Sequence, residues 1–320
     1  MKEKYFAIVN PNAGKGDVLK KWNELKDLLH QAEIDFDFEF TKGQYDASFL
    51  CANAIKSDYR QLLSIGGDGT LHEVLNGVFM QELVPTAEIN LGKIPFGTGN
   101  DWGKTYRNPL DMKEAVELIK NGNRIYQDVG KIIFHTQSGL DEKYFCNIAG
   151  FGFDGLVLKD VLEKKERGKS GKLTYLMSLF FSLLKSGYED VELKVDDIVF
   201  NGLTFSIAAG IGRYNGNGMM QLPFALPDDG ILDITWIKDI SKAGVIANVK
   251  GLFDGSFITH PKVHSLKGKE ISIKSAQPMM IEADGEFLGT TPAQLSIIPK
   301  AVQFIVNDIS LINKKDHYVS

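Results

Sequence analysis

The sequence predicts two domains, an α/β domain built on a parallel sheet and then a β-rich, sandwich-like domain. Three observations carry this expectation. At 320 residues the chain is long for one domain. Residues 1–127 alternate compact apolar runs with segments of helical periodicity. From about Asp128 onward, short runs rich in Ile, Val, Phe and Thr succeed one another between Gly, Asp, Asn and Pro.

Taken in order, Tyr5 to Val9 is an apolar run ending at Asn10-Pro11, the pattern of a buried strand entering a loop. Val18, Trp22, Leu25, Leu28 and Leu29 recur at helical spacing, with Asp17 placed to cap them. Phe36, Phe38 and Phe40 alternate with Asp35, Asp37 and Glu39, a period-two strand with one buried face. Ala47 to Ile55 fits a helix. Gln61 to Ile65 is a strand running into a glycine turn, and Leu71 to Phe79 is the helix leaving it. Ile89 to Ile94 is a further strand, Pro95 to Asn100 a turn, and Asp111 to Lys120 a helix. Strands alternating with helices imply a parallel sheet covered on both faces.

The second domain, 128–300, is expected to contain strands at Val129 to Phe134, Lys143 to Ile148, Val191 to Val195, Leu203 to Ala209, Leu232 to Trp236, Ile271 to Ile273, Met279 to Glu282 and Gln294 to Ile298, with helices near 155–187 and 241–254. The run Ala301 to Val306 makes 301–320 a candidate for return to the first domain.

Composition narrows the function classes. Hydrophobic residues make up 43% and charged residues 24%, as in a folded protein rather than a disordered one. A net charge of -5 supplies no broad positive field for nucleic acid. Cys51 and Cys146 stand far apart with no CxxC partner, which fits small buried side chains in a reducing compartment. The opening MKEKYFAIVN lacks the long apolar core of a secretory signal, and Leu173 to Leu184 is too short to span a bilayer. A cytoplasmic protein is expected. Lys159 to Lys172 holds six basic residues ahead of that apolar stretch, which reads either as an interfacial anchor or, the favoured reading, as a buried helix with a solvated lead-in.

The strongest motif is SIGGDGTLHEVLNG at 64–77, where a strand ends, glycines follow and an amphipathic helix begins. Gly66, Gly67 and Gly69 permit close approach of backbone to a ligand, and the helix N–H groups that follow make a phosphate cradle. Asp68 would repel a bare phosphate, but it fits if a Mg²⁺ lies between them or if it orients an attacking hydroxyl. IPFGTGNDWG at 94–103 again follows a strand and combines glycines with Thr98, Asn100 and Asp101. Loops after strands line one edge of a parallel sheet, so both loops can serve one metal–phosphate. NPNAGKG at 10–16 is near a Walker A pattern, but Val9 stands where glycine is required and Gly16 where Ser or Thr is, so it is no P-loop. Lys15 and the loop amides can still meet a nucleotide.

Gly150 to Gly155 matches GxGxxG but lies in the β-rich half, and His72-Glu73 begins an HExxH that ends in Asn76, so neither a Rossmann cofactor nor zinc is expected. Leu226-Pro227-Asp228-Asp229-Gly230-Ile231 is a surface turn or a hard-cation site of carboxylate and carbonyl oxygens. Ile281 to Glu286 places three acids in six residues, either a charged hairpin tip or the seat of a general base.

In order, NPNAGKG, GGDGTLHEVLNG, FGTGND, YFCNIAGFGFDG, LPDDGILD and ADGE resemble the diacylglycerol kinase catalytic-domain family, in particular its soluble bacterial lipid kinases, relatives of sphingosine and ceramide kinases. The resemblance runs from residue 10 to about 290. It implies an α/β nucleotide-binding domain, a β-sandwich domain and an active site in the cleft between them. It also implies ATP contacts from Asn10, Pro11, Asn12, Ala13, Gly14, Thr41, Gly66, Gly67, Asp68, Gly69, Thr70, Leu71, His72 and Thr98. Asp68 and Asp101 match the acids around a catalytic Mg²⁺, and Glu286 the proton acceptor. Asp229, with the carbonyls of Leu226 and Ile231, matches a structural Mg²⁺ site. His72 stands where bacterial members often have Asn, and Trp102 where Phe is usual.

The expectation is phosphoryl transfer from ATP to the hydroxyl of diacylglycerol, by an enzyme in the cytoplasm with peripheral contact at the inner membrane surface. A homodimer stays open. A kinase of a sphingoid base or other lipid alcohol is the nearest rival, a kinase of a polar metabolite a third reading, and a catalytically silent nucleotide sensor the reading from a different class.

Overall fold

The computed structural model describes residues 4–97, 99–166 and 172–310. The chain forms two compact units. The first takes residues up to Val129, Pro227–Asp229 and those from Ile298 onward, and the second takes Gly130–Leu226 and Gly230–Ile297. The return of Pro227–Asp229 to the first unit has no periodic signal in the sequence. It is tied there by Asp128, whose N–H donates to Pro227 O at 2.8 Å.

In the first unit the order is β1 (Tyr5–Val9), α1 (Ala13–Gln31), β2 (Phe36–Phe40), α2 (Asp46–Lys56), β3 (Gln61–Gly66), α3 (Asp68–Phe79), β4 (Asn90–Pro95), α4 (Asp101–Thr105), α5 (Met112–Asn121) and the start of β5 (Asn123–Thr136). β2, β1, β3 and β4 lie side by side and parallel. The end of the last strand, β14 (Glu286–Val306), joins as a fifth neighbour, parallel to β4 through Gln303 and Phe304. β1 and β3 are buried on both faces, which is why their sequences are nearly continuous apolar runs. β2 is the edge, and its phenylalanines pack edge-on against Trp22, with ring centroids 4.7 and 5.3 Å away for Phe38 and Phe40. Within α1, Gly14, Lys15 and Gly16 are left-handed, with φ of 61°, 62° and 83°, so the regular helix begins only after them.

The second unit continues with the rest of β5, β6 (Gly139–Phe145), β7 (Ile148–Gly152), α6 (Phe153–Glu166), α7 (Lys172–Lys185), β8 (Glu189–Val195), β9 (Ile198–Gly210), β10 (Leu232–Lys238), α8 (Lys242–Ala247), α9 (Val249–Asp254), β11 (Val263–Gly268), β12 (Glu270–Ser275), β13 (Met280–Ala283) and the start of β14. Its strands pair antiparallel, and the pairing closes on itself: β8 with β9, β9 with β7, β7 with β13, β13 with β14, β14 with β12 and β12 with β8. Two long strands make closure work. β9 gives its first half to β8 and its second half to β7 and β10, while β14 pairs first with β13 and then with β12. Phe134, Phe145, Phe151, Trp236 and a set of Ile, Leu and Val side chains fill the core.

Among the described residues no helix is long and apolar enough to cross a membrane. In the basic stretch, Lys164 pairs with Asp160 and lies over the ring of Phe181. Arg167 and Lys169 lie outside the described residues. Ser178 and Leu183 of α7 are buried, whereas Phe181 and Leu184 are exposed.

Candidate active site

In the first unit the loops leaving β1, β2, β3 and β4 collect at the carboxyl edge of the sheet, where parallel sheets bind ligands. Between β3 and α3 the chain turns through Gly67, which is extended (φ −87°, ψ −167°). A Cβ on Gly66 would lie 2.3 Å from Thr70 Oγ1, so the strand can meet the helix this closely only with glycine there. Phe96 N donates to Gly66 O at 2.8 Å, and a Cβ on Gly97 would lie 3.2 Å from Gly67 Cα. The two glycine loops are therefore packed backbone to backbone. Asn10 Nδ2 donates to Thr70 Oγ1 at 3.1 Å, and Thr41 N donates to Val9 O at 2.9 Å, which brings Asn10 and Thr41 to the same edge. Pro11, Ala13 and Gly14 are half-buried and Asn12 is exposed. The first turn of α3, with Gly69 and Thr70, presents its N–H groups as a helix start does toward an anion. Leu71 and His72 are buried side chains, so α3 offers a ligand backbone rather than side chain at those positions. Thr98 lies outside the described residues.

Each acid of this edge has a lysine. Lys93 Nζ meets Asp68 Oδ1 at 2.6 Å, and Lys104 Nζ meets Asp101 Oδ1 at 2.6 Å. Asp68 Oδ2 accepts from Asp101 N at 3.2 Å, so the two acids are neighbours and Asp68 caps α4. The carboxylates are hard oxygen donors of the kind Mg²⁺ takes, and a carboxylate has about four lone-pair positions, more than these contacts use. The residues fit a Mg²⁺ that competes with the two ammonium groups for them.

In the second unit, Glu286 opens β14 opposite Ala283, across the turn Asp284-Gly285. Both turn residues are left-handed, with φ of 52° and 83°, as a two-residue Asp-Gly hairpin requires. The three acids of this hairpin have separate environments. Asp284 accepts the N–H groups of Cys146 (2.9 Å) and Asn147 (3.0 Å) and ties down the turn. Glu286 is half-exposed at its exit. Glu282 is buried, and burial, reinforced by the nearby Asp154 charge, pushes its carboxyl up to about 8. Asp154 retains some exposed surface, but its carboxyl group is enclosed and is raised to about 6 by desolvation, against the bonds from Ser206 and Gln221. Asp154, Ser206 and Gln221 form a polar stretch in the wall of a mostly apolar cavity that Phe153, Leu179, Phe205, Ile240 and Val263 also line.

The diacylglycerol kinase catalytic domain model matches residues 4–132, and the YegS C-terminal NAD kinase beta sandwich-like domain model matches 147–306. A diacylglycerol kinase of Staphylococcus epidermidis is 30% identical over 92% of this chain and 89% of its own. One from Staphylococcus saprophyticus is 28% identical over 97% of both. A solved diacylglycerol kinase structure from Bacillus anthracis superposes with a TM-score of 0.70 at 25% identity, covering 95% of this chain and 97% of its own. The chain belongs to the diacylglycerol kinase family. It is a lipid kinase of diacylglycerol kinase type.

Within this diacylglycerol kinase fold, Leu226, Asp229 and Ile231 lie on the turn before β10; Leu226 is buried, Asp229 and Ile231 are half-exposed, and Gly230 between them is left-handed with φ 74°. One carboxylate and two carbonyl oxygens suit Mg²⁺ as a donor set. Among the described residues no group of three or more His, Cys, Asp or Glu side chains stands together as a metal site. The GxGxxG match proves to be a packing device: a Cβ on Gly150 would lie 2.8 Å from both Asp154 Cβ and Glu282 Oε1, and one on Gly155 2.7 Å from Met280 backbone. In the first unit Lys93 and Lys104 escaped the sequence reading, although Lys93 had a signal, a lone charge inside the strand Leu91-Gly92-Lys93-Ile94. In the second unit Glu282 stood in the acidic cluster and Asp154 in the GxGxxG match, but neither was given a role of its own.

Proposed function

We propose that this lipid kinase transfers the γ-phosphoryl group of ATP to the free hydroxyl of diacylglycerol, giving phosphatidic acid and ADP. The observation that carries the reading is the joined pair of acidic glycine loops, in which Asp68 and Asp101 are linked through Asp101 N–H beside the start of α3. Asn10 to Gly14, Thr41, Gly66 to His72 and Thr98 would hold the nucleotide. Mg²⁺ at Asp68 and Asp101 would offset the charge of the phosphates as transfer proceeds. Asp229, with the Leu226 and Ile231 carbonyls, would hold a second, structural Mg²⁺. Glu286 accepts the proton as the acceptor oxygen bonds to phosphorus and the bridging oxygen leaves with ADP. Lys93 and Lys104 fix the two acids and keep their charge balanced before metal and nucleotide arrive. The apolar cavity of the second unit suits an acyl chain, and an acceptor of that kind is met at a membrane surface. A sphingoid base or another lipid alcohol would use the same groups.

The test is transfer of labelled phosphate from ATP with Mg²⁺ to diacylglycerol, ceramide, sphingosine, NAD and water-soluble alcohols. The lipids are presented in mixed micelles and in anionic vesicles. Diacylglycerol is expected to be the best acceptor, and Glu286→Gln is expected to lower its turnover by roughly 10² or more with nucleotide binding intact. Labelling of polar acceptors alone would refute the lipid reading, turnover in micelles alone would remove the membrane contact, and labelling of nothing would favour a nucleotide sensor.

A further inference from the structure

Glu282 is a buried acid that the phosphoryl-transfer reading does not use. It faces Gly150 across the β13–β7 ladder, where the missing Cβ leaves room for its carboxyl and for Asp154. Its neighbours Ile281 and Ala283 belong to the β core, so alternation along β13 sets Glu282 on the opposite face, beside Asp154. Both of its oxygens are engaged: Oε1 accepts from Asn215 Nδ2 at 2.6 Å, and Oε2 accepts from Gly285 N at 3.1 Å. Gly285 is the residue immediately before Glu286. The hairpin tip is thus held from two sides, by Asp284 on Cys146 and Asn147 and by Glu282 on Gly285.

A chain of hydrogen bonds leads back from Glu282. Asn215 Nδ2 also lies 3.4 Å from Gln221 Oε1, Gln221 Nε2 donates to Asp154 Oδ1 at 3.1 Å, and Ser206 Oγ donates to Asp154 Oδ2 at 2.8 Å. Asp154, Ser206 and Gln221 line the apolar cavity. The structure assigns Glu282 as a positioning residue for Glu286, held by a hydrogen-bond chain that starts in the cavity wall. This assignment rests on the reading of Glu286 as the base.

The charges that raise Glu282 are those of Asp154 and Asp284, both acidic. With a proton on Glu282 the enclosure holds one negative charge fewer and the chain is intact. Loss of that proton near pH 8 strengthens the bonds Glu282 accepts from Asn215 and Gly285 but sets a second enclosed charge beside Asp154. The repulsion between the two carboxylates displaces the Glu282 carboxyl and the Gly285 N–H it holds.

Two readouts test this on the full chain. The first is the Gly285 amide signal after selective ¹⁵N-glycine labelling. The second is phosphate transfer from ATP to dioleoylglycerol in mixed micelles. Both are followed from about pH 6 to about pH 9.5. In the wild type the Gly285 amide should inflect near pH 8, and kcat should fall about fivefold or more over the same range. Glu282→Gln should abolish the inflection and the fall, with KM for ATP within about twofold. Asn215→Ala, which removes a bond that favours ionised Glu282, should move the inflection to higher pH. A Gly285 amide that does not titrate, or a fall in kcat that persists in Glu282→Gln, would overturn the assignment. Glu286→Gln separates the layers. If it is inactive while Glu282→Gln keeps the wild-type pH profile, the positioning role alone is wrong. If it turns over at the wild-type rate, the base reading fails and the positioning role with it.

Discussion

The Lys93 side chain is 3% exposed in a strand with no other charged residue, and its ammonium meets an Asp68 carboxylate that is 22% exposed. Removing one partner of a buried pair costs about 3–5 kcal/mol, because the remaining charge is stranded. Water reaches Asp68, so Lys93→Met is expected to cost less, about 2 kcal/mol. Urea unfolding of Lys93→Met, Asp68→Asn and the double variant measures this, and the double variant should recover more than half of the Lys93→Met loss. A single-variant cost below about 0.5 kcal/mol would mark the contact as an ordinary surface pair. Single residues were the scale at which the sequence was least informative about the site. Asp68, Asp101 and Glu286 stood out because each opens an element at a glycine-containing turn. Lys104 and Asp154 lie within helices, and Glu282, though part of the acidic cluster, lies within β13, where nothing in the spacing says what a side chain faces. Asp284 stood beside Glu286 in the same acidic cluster, and only the Cys146 and Asn147 amides reveal it as a tie rather than a base.

At the scale of elements the sequence was far more legible, because helix and strand periods are local. The strands and helices of the first unit fall close to where periodicity places them, and the glycine turn lies between β3 and α3 as expected. Neighbour choice was not legible: period two reports which face of β9 or β14 is buried, not that each strand changes partners along its length. The five-residue α4 was missed, being too short for a period and held by a cap from Asp68. The contact of α2 with α3 depends on Gly77, where a Cβ would lie 2.4 Å from Ser48 O and 2.6 Å from Cys51 Cβ. Glycine to alanine inside a helix ordinarily gains about 1 kcal/mol. Overpacking against backbone costs about 1–3 kcal/mol, and backbone cannot step aside as a flexible side chain can. Gly77→Ala is therefore expected to be destabilising by about 1–2 kcal/mol, with KM for ATP unchanged because Gly77 lies two turns beyond the start of α3. Chemical denaturation with a parallel kinetic assay separates the two effects, and a net gain in stability would show that α2 yields.

For the molecule as a whole, the enclosed acids set how stability depends on pH. Glu282 is raised from its ordinary 4.5 to about 8 and Asp154 from 3.8 to about 6, and burial raises Asp233 as well. An acid whose folded pKa is raised binds more protons folded than unfolded between the two values. Stability therefore falls as pH climbs through that interval and levels off above the folded pKa. Asp154 contributes below about pH 6, and between about pH 6 and 8 the fall belongs to Glu282. The slope per proton is at most about 1.4 kcal/mol per pH unit. Asp17, Asp37 and Asp239 are lowered by lysine partners and work in the opposite sense, but only below the ordinary carboxylate range, as they protonate. The wild type should accordingly lose urea resistance between about pH 6 and 8, whereas Glu282→Gln, with no proton to lose there, should hold a level midpoint across the same range. Equal slopes in the two proteins would place the titrating group elsewhere. A level midpoint in Glu282→Gln would show that the carboxyl behind the Glu286 turn is neutral in the folded enzyme at pH 7. That turn would then be built around a stored proton, and the stability of the whole chain would report on it.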